Sequence, residues 1–278
     1  MDDQLKDLMQ ELGNAALEMS ARAQYALLRE SVAASVRATI AWKDMTIIPA
    51  SADLGDIDPT SVSIALDPCD QQALLPPDVL QRTFDFYLDG VRKRAVPGKQ
   101  WRFSPYELRN VLSFVRLNRP RDAVEVLESI MRHRRPSGWQ MFAEVVESRL
   151  RHTGYLGDMP HTWVGTEYVR AIIGMLMHEA DTQLELLPGA PPSWVNDGGL
   201  SVEALPTAYG LLTMTARQVG PELRVVLGSG LFPSIPVQVA WPTRERPKQV
   251  FVDGQPRSDQ TADGIRVERP FRELLARW

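Results

Sequence analysis

The sequence predicts a mainly α-helical fold with a smaller β-rich domain at its C-terminal end. Through residues 1–183, apolar side chains recur at the spacing of one helical face. From Leu184 onward, Pro and Gly cluster and short β-patterned runs replace the helical spacing. We therefore expect a domain of helical hairpins over residues 1–183 and an antiparallel β sandwich or sheet over residues 184–278.

The composition is typical of a folded globular protein. Of the 278 residues, 44% are hydrophobic and 24% are charged, and this length accommodates a large and a small domain. The formal net charge of -4 provides no overall basic field. Nucleic acid is therefore not expected as a partner.

Cysteine usage and hydropathy argue against a disulfide-bonded, zinc-binding or membrane-spanning protein. Cys69 is the single cysteine, so no internal disulfide can form, and no zinc-ligand pattern surrounds it. No run approaches the roughly 18 to 20 apolar residues of a membrane span. Residues 1–10 are acidic and amphipathic, unlike a signal peptide. We expect a soluble protein without a membrane partner, cytoplasmic if its N-terminus is native.

The N-terminal part is predicted to contain two helices and an acidic loop. One helix covers residues 5–12 and a second, rich in Ala and Ser, covers residues 22–37. The loop that follows carries Asp53, Asp56 and Asp58, of which Asp58 suits the N-cap of the next helix. A calcium site is the alternative, but the loop lacks the fixed glycine and terminal Glu of an EF-hand. Neither a metal nor a cofactor is expected.

Three further helices are predicted between residues 80 and 131. The first is closed by the basic segment Arg92–Arg94, as the helix dipole favours. Ser104 and Glu107 form a capping box for the second, and Pro120 begins the third after a very short turn. A tetratricopeptide array is the alternative for such helix pairs, but no period near about 34 residues recurs.

The next two predicted helices carry the candidate functional groups. Ser137 is expected to cap a helix that extends to Leu150 and contains Trp139 and Glu144. A polar turn then opens a strongly apolar helix that continues to Asp181.

The turn from Gly157 to Tyr168 gathers polar and aromatic groups at a helix mouth, an arrangement typical of a functional site. Asp158 or Thr162 could cap the exposed amides of this helix. The alternative is that these two residues are only caps and that His161 and Trp163 only pack in the core.

The C-terminal part is predicted to contain short strands. Asp253-Gly254 is a hairpin turn signal between two of them. The predicted strands cover residues 211–215, 223–227, 237–240, 250–252 and 265–267.

Four segments together resemble the C-terminal half of six-hairpin glycoside hydrolases, the (α/α) toroids of the glucoamylase, glycogen-debranching and processing α-glucosidase type. The segments are Trp139–Glu144, Gly157–Gly165, Leu186–Trp194 and Leu205–Gly210. The resemblance covers roughly residues 45 to 270 in order. It implies a partial (α/α)6-toroid-like arrangement, a C-terminal β domain and a carbohydrate substrate.

The resemblance also implies roles for individual residues. Enzymes of this type usually invert configuration, with one carboxylic acid protonating the leaving oxygen and one carboxylate activating water. Glu144 lies where the family places its base, although an exposed helical Glu is the ordinary alternative. The other residues expected to act in catalysis or to bind substrate are Asp56, Asp58, Trp139, Asp158, His161, Trp163 and Glu167.

The chain departs from the family in the number of its helices and in lacking a clear counterpart of the catalytic acid. A complete toroid needs twelve helices, whereas seven or eight are predicted here, and the family's acid usually lies earlier in the barrel. We therefore expect self-association or a missing N-terminal half. Two alternatives to a hydrolase remain open: a non-catalytic carbohydrate-binding or assembly module, and a helical scaffold without a link to sugar.

Overall fold

The computed structural model describes residues 14–43, 46–48, 59–134, 138–149, 157–196, 198–232 and 234–278. The chain divides into two compact units, residues 1–90 and residues 91–278. The predicted acidic loop with Asp53, Asp56 and Asp58, the helix over residues 5–12, and Ser137 lie outside the described residues.

The first unit is helical in its described part. It contains α1 (Asn14–Lys43), α2 (Pro59–Leu66), a 3-10 turn (Gln72–Leu74) and α3 (Pro77–Lys93), which ends just beyond the unit. Several hydrogen bonds connect distant described segments of this unit. Arg29 donates to the carbonyl of Cys69 at 2.5 Å, and the backbone N–H of Ile48 donates to the Thr83 hydroxyl at 2.9 Å.

The second unit begins with a small helical layer. A short ladder pairs β1 (Arg102–Phe103) with β2 (Val146–Glu147). The helices of this layer are a 3-10 turn (Pro105–Leu108), α4 (Arg109–Arg116), α5 (Pro120–His133) and α6 (Thr162–Leu176), with α4 packed against both α5 and α6. The predicted helical hairpin through Pro120 is confirmed.

The rest of the second unit is a pair of β-sheets joined through one hydrophobic core. The strands are β3 (Met177–Ala180), β4 (Gln183–Leu186), β5 (Leu200–Thr207), β6 (Gly210–Val219), β7 (Glu222–Leu227), β8 (Val237–Ala240), β9 (Gln249–Val252), β10 (Gln255–Arg257), β11 (Gly264–Val267) and β12 (Glu273–Arg277), and a short helix α7 (Pro192–Val195) precedes β5. A four-stranded sheet has the order β11-β8-β4-β3, and a six-stranded antiparallel sheet has the order β10-β9-β12-β7-β6-β5. One core cluster includes residues from both sheets.

Apolar residues at every second position bury one face of these strands in the core. In β7, Leu223, Val225 and Leu227 are buried while Arg224 is exposed. Asp253 and Gly254 both have positive φ and form the predicted two-residue turn after β9. The turn leads into β10, which is not among the predicted strands, whereas the predicted strand at residues 265–267 lies in the other sheet as β11. All five predicted strands are confirmed.

The prediction of a mainly α fold with a partial (α/α)6 toroid is wrong. Among the described residues, strands form three sheets beside the helices, and one of these is the six-stranded antiparallel sheet. Two segments account for much of the difference. The helix predicted through Leu150 is replaced over its described part by a loop and β2, and the helix predicted to reach Asp181 stops at Leu176 because β3 pairs with β4.

Candidate functional site

The candidate site lies in the second unit, where two loop segments are fastened side by side. The backbone N–H of Glu144 donates to the carbonyl of Asp158 at 3.0 Å, and that of His161 donates to Phe142 at 2.8 Å. The Ser104 hydroxyl donates to the carbonyl of Glu144 at 2.6 Å. These bonds fix the loop that carries Glu144 against the turn that opens α6.

The carboxylate of Glu144 is held in a defined position. Its Oε2 accepts the backbone N–H of Asp158 at 3.1 Å and lies 3.9 Å from Nε2 of His161. The side chain is 27% exposed, whereas that of His161 is 14% exposed. Glu144 and His161, which are predicted to belong to one site, are therefore brought together by the structure.

A tyrosine that the sequence did not single out completes this group. The hydroxyl of Tyr106 lies 2.7 Å from Nε2 of His161, and the two rings meet edge to face at 5.3 Å between centroids. Burial raises the pKa of Tyr106, the negative charge of Glu144 raises it further, and Arg109 acts in the opposite direction. The phenol thus stays protonated through neutral pH.

An exposed indole adjoins the same tyrosine. Trp163 is 57% exposed, and its ring meets Tyr106 edge to face at 5.2 Å between centroids. The Arg109 guanidinium lies 5.2 Å from the centroid of the Tyr106 ring and 5.4 Å from that of Trp163. Arg109 therefore contacts both aromatic rings from one position.

Glu167 is a buried carboxylate that binds both Arg109 and Trp163. It is 4% exposed, and its Oε1 accepts from Nε of Arg109 at 2.8 Å and from the indole of Trp163 at 3.3 Å. Its Oε2 accepts from Arg170 at 3.1 Å. With three donors on a buried carboxylate, Glu167 orients its neighbours, a different role from the substrate contact that the sequence predicts for it.

The remaining predicted site residues lie in different places. Asp158 is exposed and joins Glu144 through its backbone. Trp139 is 51% exposed and precedes Glu144 on the same loop. Asp56 and Asp58 lie outside the described residues. The predicted caps of α6 do not form, because the N-cap position is His161 and no side-chain capping bond is made.

Sequence reasoning missed Tyr106 and Arg109. Both follow Ser104 in a segment whose sequence indicates only the start of a helix, and Ser104 does cap it by accepting the N–H of Tyr106 at 3.3 Å. Tyr106 is 55 residues from His161 along the chain. A long-range pairing of this kind leaves no local spacing pattern from which to recognise it.

No protein-family model and no curated protein matches this chain. Among the described residues, no group of three metal-ligating side chains comes together. Over the same part of the chain, no helix combines the length and apolar character needed to cross a membrane. The chemistry of the site is therefore argued from its own groups: a fixed carboxylate, an imidazole, a phenol and an exposed indole.

Proposed function

We propose that this protein hydrolyses a glycosidic bond in a carbohydrate, with Glu144 as the general base. The observation that carries the proposal is the convergence of Glu144, His161 and Tyr106 beside the exposed ring of Trp163.

The setting of Glu144 suits activation of a water molecule. The side chain is partly exposed, so water reaches it, and the N–H of Asp158 fixes the direction of one carboxylate oxygen. In an inverting reaction, the water oxygen bonds to the anomeric carbon while its proton passes to Glu144. The glycosidic C–O bond breaks, and its electron pair stays on the leaving oxygen, which takes a proton from a second carboxyl group.

The neighbouring groups suit recognition of a sugar ring. An exposed indole presents an apolar face to the C–H face of a pyranose, as Trp163 does here. Tyr106 and His161 are hydrogen-bonded to each other, so they would bind a sugar hydroxyl through the remaining capacity of the phenol oxygen and of the second imidazole nitrogen. A sugar stacked on Trp163 would therefore reach the imidazole and the carboxylate together.

The proton donor is assigned to a carboxyl group other than those of Glu144 and Glu167. Glu167 is engaged by Arg109 and Arg170, so it is unsuited to donate a proton. Among the described residues, Asp158 adjoins Glu144 directly and is the candidate for this role.

Non-catalytic carbohydrate binding is the second candidate function. One observation favours it: Asp158, the described carboxyl residue that adjoins Glu144, is exposed, whereas a catalytic acid is usually kept in an apolar surrounding. In that case Trp163, His161 and Glu144 would hold a sugar without cleaving it.

A comparison of turnover with binding separates the two candidates. Aryl glycosides of the common pyranoses serve as substrates, and calorimetry with the corresponding free sugars measures binding. For a hydrolase, Glu144→Gln is expected to lower turnover by roughly 10²- to 10⁴-fold while sugar binding remains. Glu203→Gln, an exposed Glu on β5, is the matched control and should leave turnover unchanged.

The stereochemistry of the product gives a second readout. NMR of the first product formed should show the inverted anomer. Binding without turnover in the unaltered protein would favour the second candidate function. If no sugar of the panel is bound and none is cleaved, both candidate functions are contradicted.

A further inference from the structure

A second polar groove lies beside the β1–β2 ladder. Its volume is about 310 Å³, close to the lower end of the range for small-molecule sites. Its lining combines one indole with amide, hydroxyl, guanidinium and carboxylate groups, which are the groups that proteins use to bind sugars. The lining residues are Gln100, Trp101, Arg102, Glu147, Ser148 and Arg149.

The aromatic side chain of this groove is held in place. Trp101 meets His133 nearly edge to face at 4.6 Å between centroids, and it contacts Phe103 at 5.6 Å. His133 is itself fixed, because its Nδ1 donates to the carbonyl of Ser129 at 2.8 Å. A partly exposed indole on such a support offers a ready surface for a pyranose ring.

Polar groups surround this ring on the ladder. Arg102 and Glu147 face each other across the two strands and form an ion pair at 3.3 Å. The Ser148 hydroxyl accepts the backbone N–H of Trp101 at 3.1 Å, so its own O–H remains a donor. Gln100 and Arg149 are exposed at the rim. The groove therefore offers donors and acceptors next to an indole, as a sugar subsite requires.

The groove and the candidate site share the same two chain segments. Ser148 donates its N–H to Trp101 at one end of the ladder, and Ser104 donates its hydroxyl to Glu144 at the other. Ser148 is only four positions after Glu144, so their backbones lie at most about 14 Å apart. A ligand of a few linked sugar rings is long enough to reach from one to the other.

We propose that the groove at Trp101 is a second sugar subsite and that the ligand of this protein is an oligosaccharide rather than a single sugar. This inference rests on the proposed function of the Glu144 site. It adds that a chain bound near Glu144 continues along β1 and β2, where Trp101 stacks on a further ring. Because the second contact is then intramolecular, affinity grows with chain length.

The test measures chain-length dependence. The probes are the malto-, cello-, xylo- and manno-oligosaccharide series from one to six sugar units, with binding measured by calorimetry and turnover by product analysis. In a series that the protein binds or cleaves, affinity should rise about tenfold or more from the shortest to the longest member. Trp101→Ala should remove that rise and leave the affinity for the single sugar unchanged.

Matched variants separate loss of the subsite from loss of the fold. Phe232→Ala removes another exposed aromatic ring, one that lies outside the groove, and should retain the rise. Gln100→Ala and Arg149→Ala alter exposed rim residues, and each should lower the affinity for the longer oligosaccharides only. These two variants therefore test the subsite if Trp101→Ala unfolds the protein. Circular dichroism reports whether each variant is folded.

The outcomes distinguish this inference from the proposed function. If single-sugar substrates are cleaved in a Glu144-dependent way, but affinity is independent of length or survives the groove variants, the second subsite is wrong and the proposed function stands. If no member of any series is bound or cleaved, both are wrong.

Discussion

The carboxylate of Glu144 occupies the space that a side chain at Gly157 would fill. An ideal Cβ built on Gly157 would overlap Oε2 of Glu144 and lie 2.6 Å from its Cβ and 2.7 Å from its Cδ. Gly157 also has a φ of 70°, in the left-handed region that glycine adopts readily. The backbone of the turn is therefore the surface against which Glu144 is positioned.

Gly157→Ala is expected to displace the Glu144 carboxylate. Turnover should fall by about 100-fold, because a shift of about 1 Å in a reacting group has an effect of that size. Gly138→Ala is the matched control, since Gly138 has a φ of 82° but nothing within 4 Å of an added Cβ. Both variants should lose about 1–2 kcal/mol in the free energy of unfolding from backbone strain, and only Gly157→Ala should lose activity. Equal activity in both would contradict the positioning role.

Two glycines of α6 are expected to respond in opposite directions. At Gly174 an added Cβ would overlap Cδ2 of Leu112, which is buried on α4, whereas at Gly165 it would meet nothing within 4 Å. Gly174→Ala should lower the free energy of unfolding by about 1–3 kcal/mol through overpacking. Gly165→Ala should raise it by about 0.5–1 kcal/mol through helix propensity. Urea denaturation measures both, and a gain in stability for Gly174→Ala would show that the two helices can separate without loss.

Glu167→Gln is expected to destabilise the protein and release Trp163. The substitution removes the charge that pairs with Arg109, whose side chain is 20% exposed, and with Arg170. We expect a loss of about 1–3 kcal/mol, less than for a fully buried pair because water reaches both arginines. Tryptophan fluorescence should change as the bond from Trp163 is weakened. Glu268→Gln is the control, because it removes an ion pair with Arg266 in which the arginine side chain is 45% exposed and the glutamate side chain 77% exposed. This variant should change the free energy of unfolding by less than about 1 kcal/mol.

Tyr106 is expected to titrate at higher pH than an exposed tyrosine. Its pKa in the folded protein is raised, whereas in the unfolded chain it is about 10. The unfolded chain therefore releases this proton first, and the contribution of Tyr106 to stability is lost as the pH rises through the unfolded pKa toward the folded one. Tyrosinate absorbance of the parent minus that of Tyr106→Phe isolates the titration. A difference curve centred at or below pH 10 would contradict the arrangement around Tyr106.

The sequence was informative where local chemistry decides structure. The strand at Val237–Ala240 was predicted with the bounds that it has, because its apolar residues pack into the sheet core. The turn at Asp253-Gly254 was predicted because the two-residue loop requires positive φ at both positions. The helix from Pro120 was predicted because Pro suits the first turn.

Long-range pairing overrode local preference elsewhere. Residues 273–277 consist largely of helix-forming types, yet they form β12 between β9 and β7. Their alternation is visible in retrospect, since Leu274 and Ala276 are buried while Arg277 is exposed. The segment around Glu144 was predicted as a helix for a similar reason, and pairing of Val146 with Phe103 prevented it.

The candidate site was predictable in part. Glu144 and His161 are both predicted as site residues, and their side chains lie 3.9 Å apart. That they act on a sugar stays a prediction. Tyr106 and Arg109 could not be found from the sequence, because they approach His161 and Glu167 only once the 3-10 turn docks on α6.

The position of β12 makes the continuity of the six-stranded sheet depend on this one strand. β12 hydrogen-bonds to β9 on one side and to β7 on the other, and its first residue is Glu273. Loss of β12 by cleavage after Arg272 would divide the sheet into a two-stranded ribbon and a three-stranded remnant, each with a newly exposed edge. Such edges pair with strands from other molecules, so removal of β12 is expected to cause aggregation.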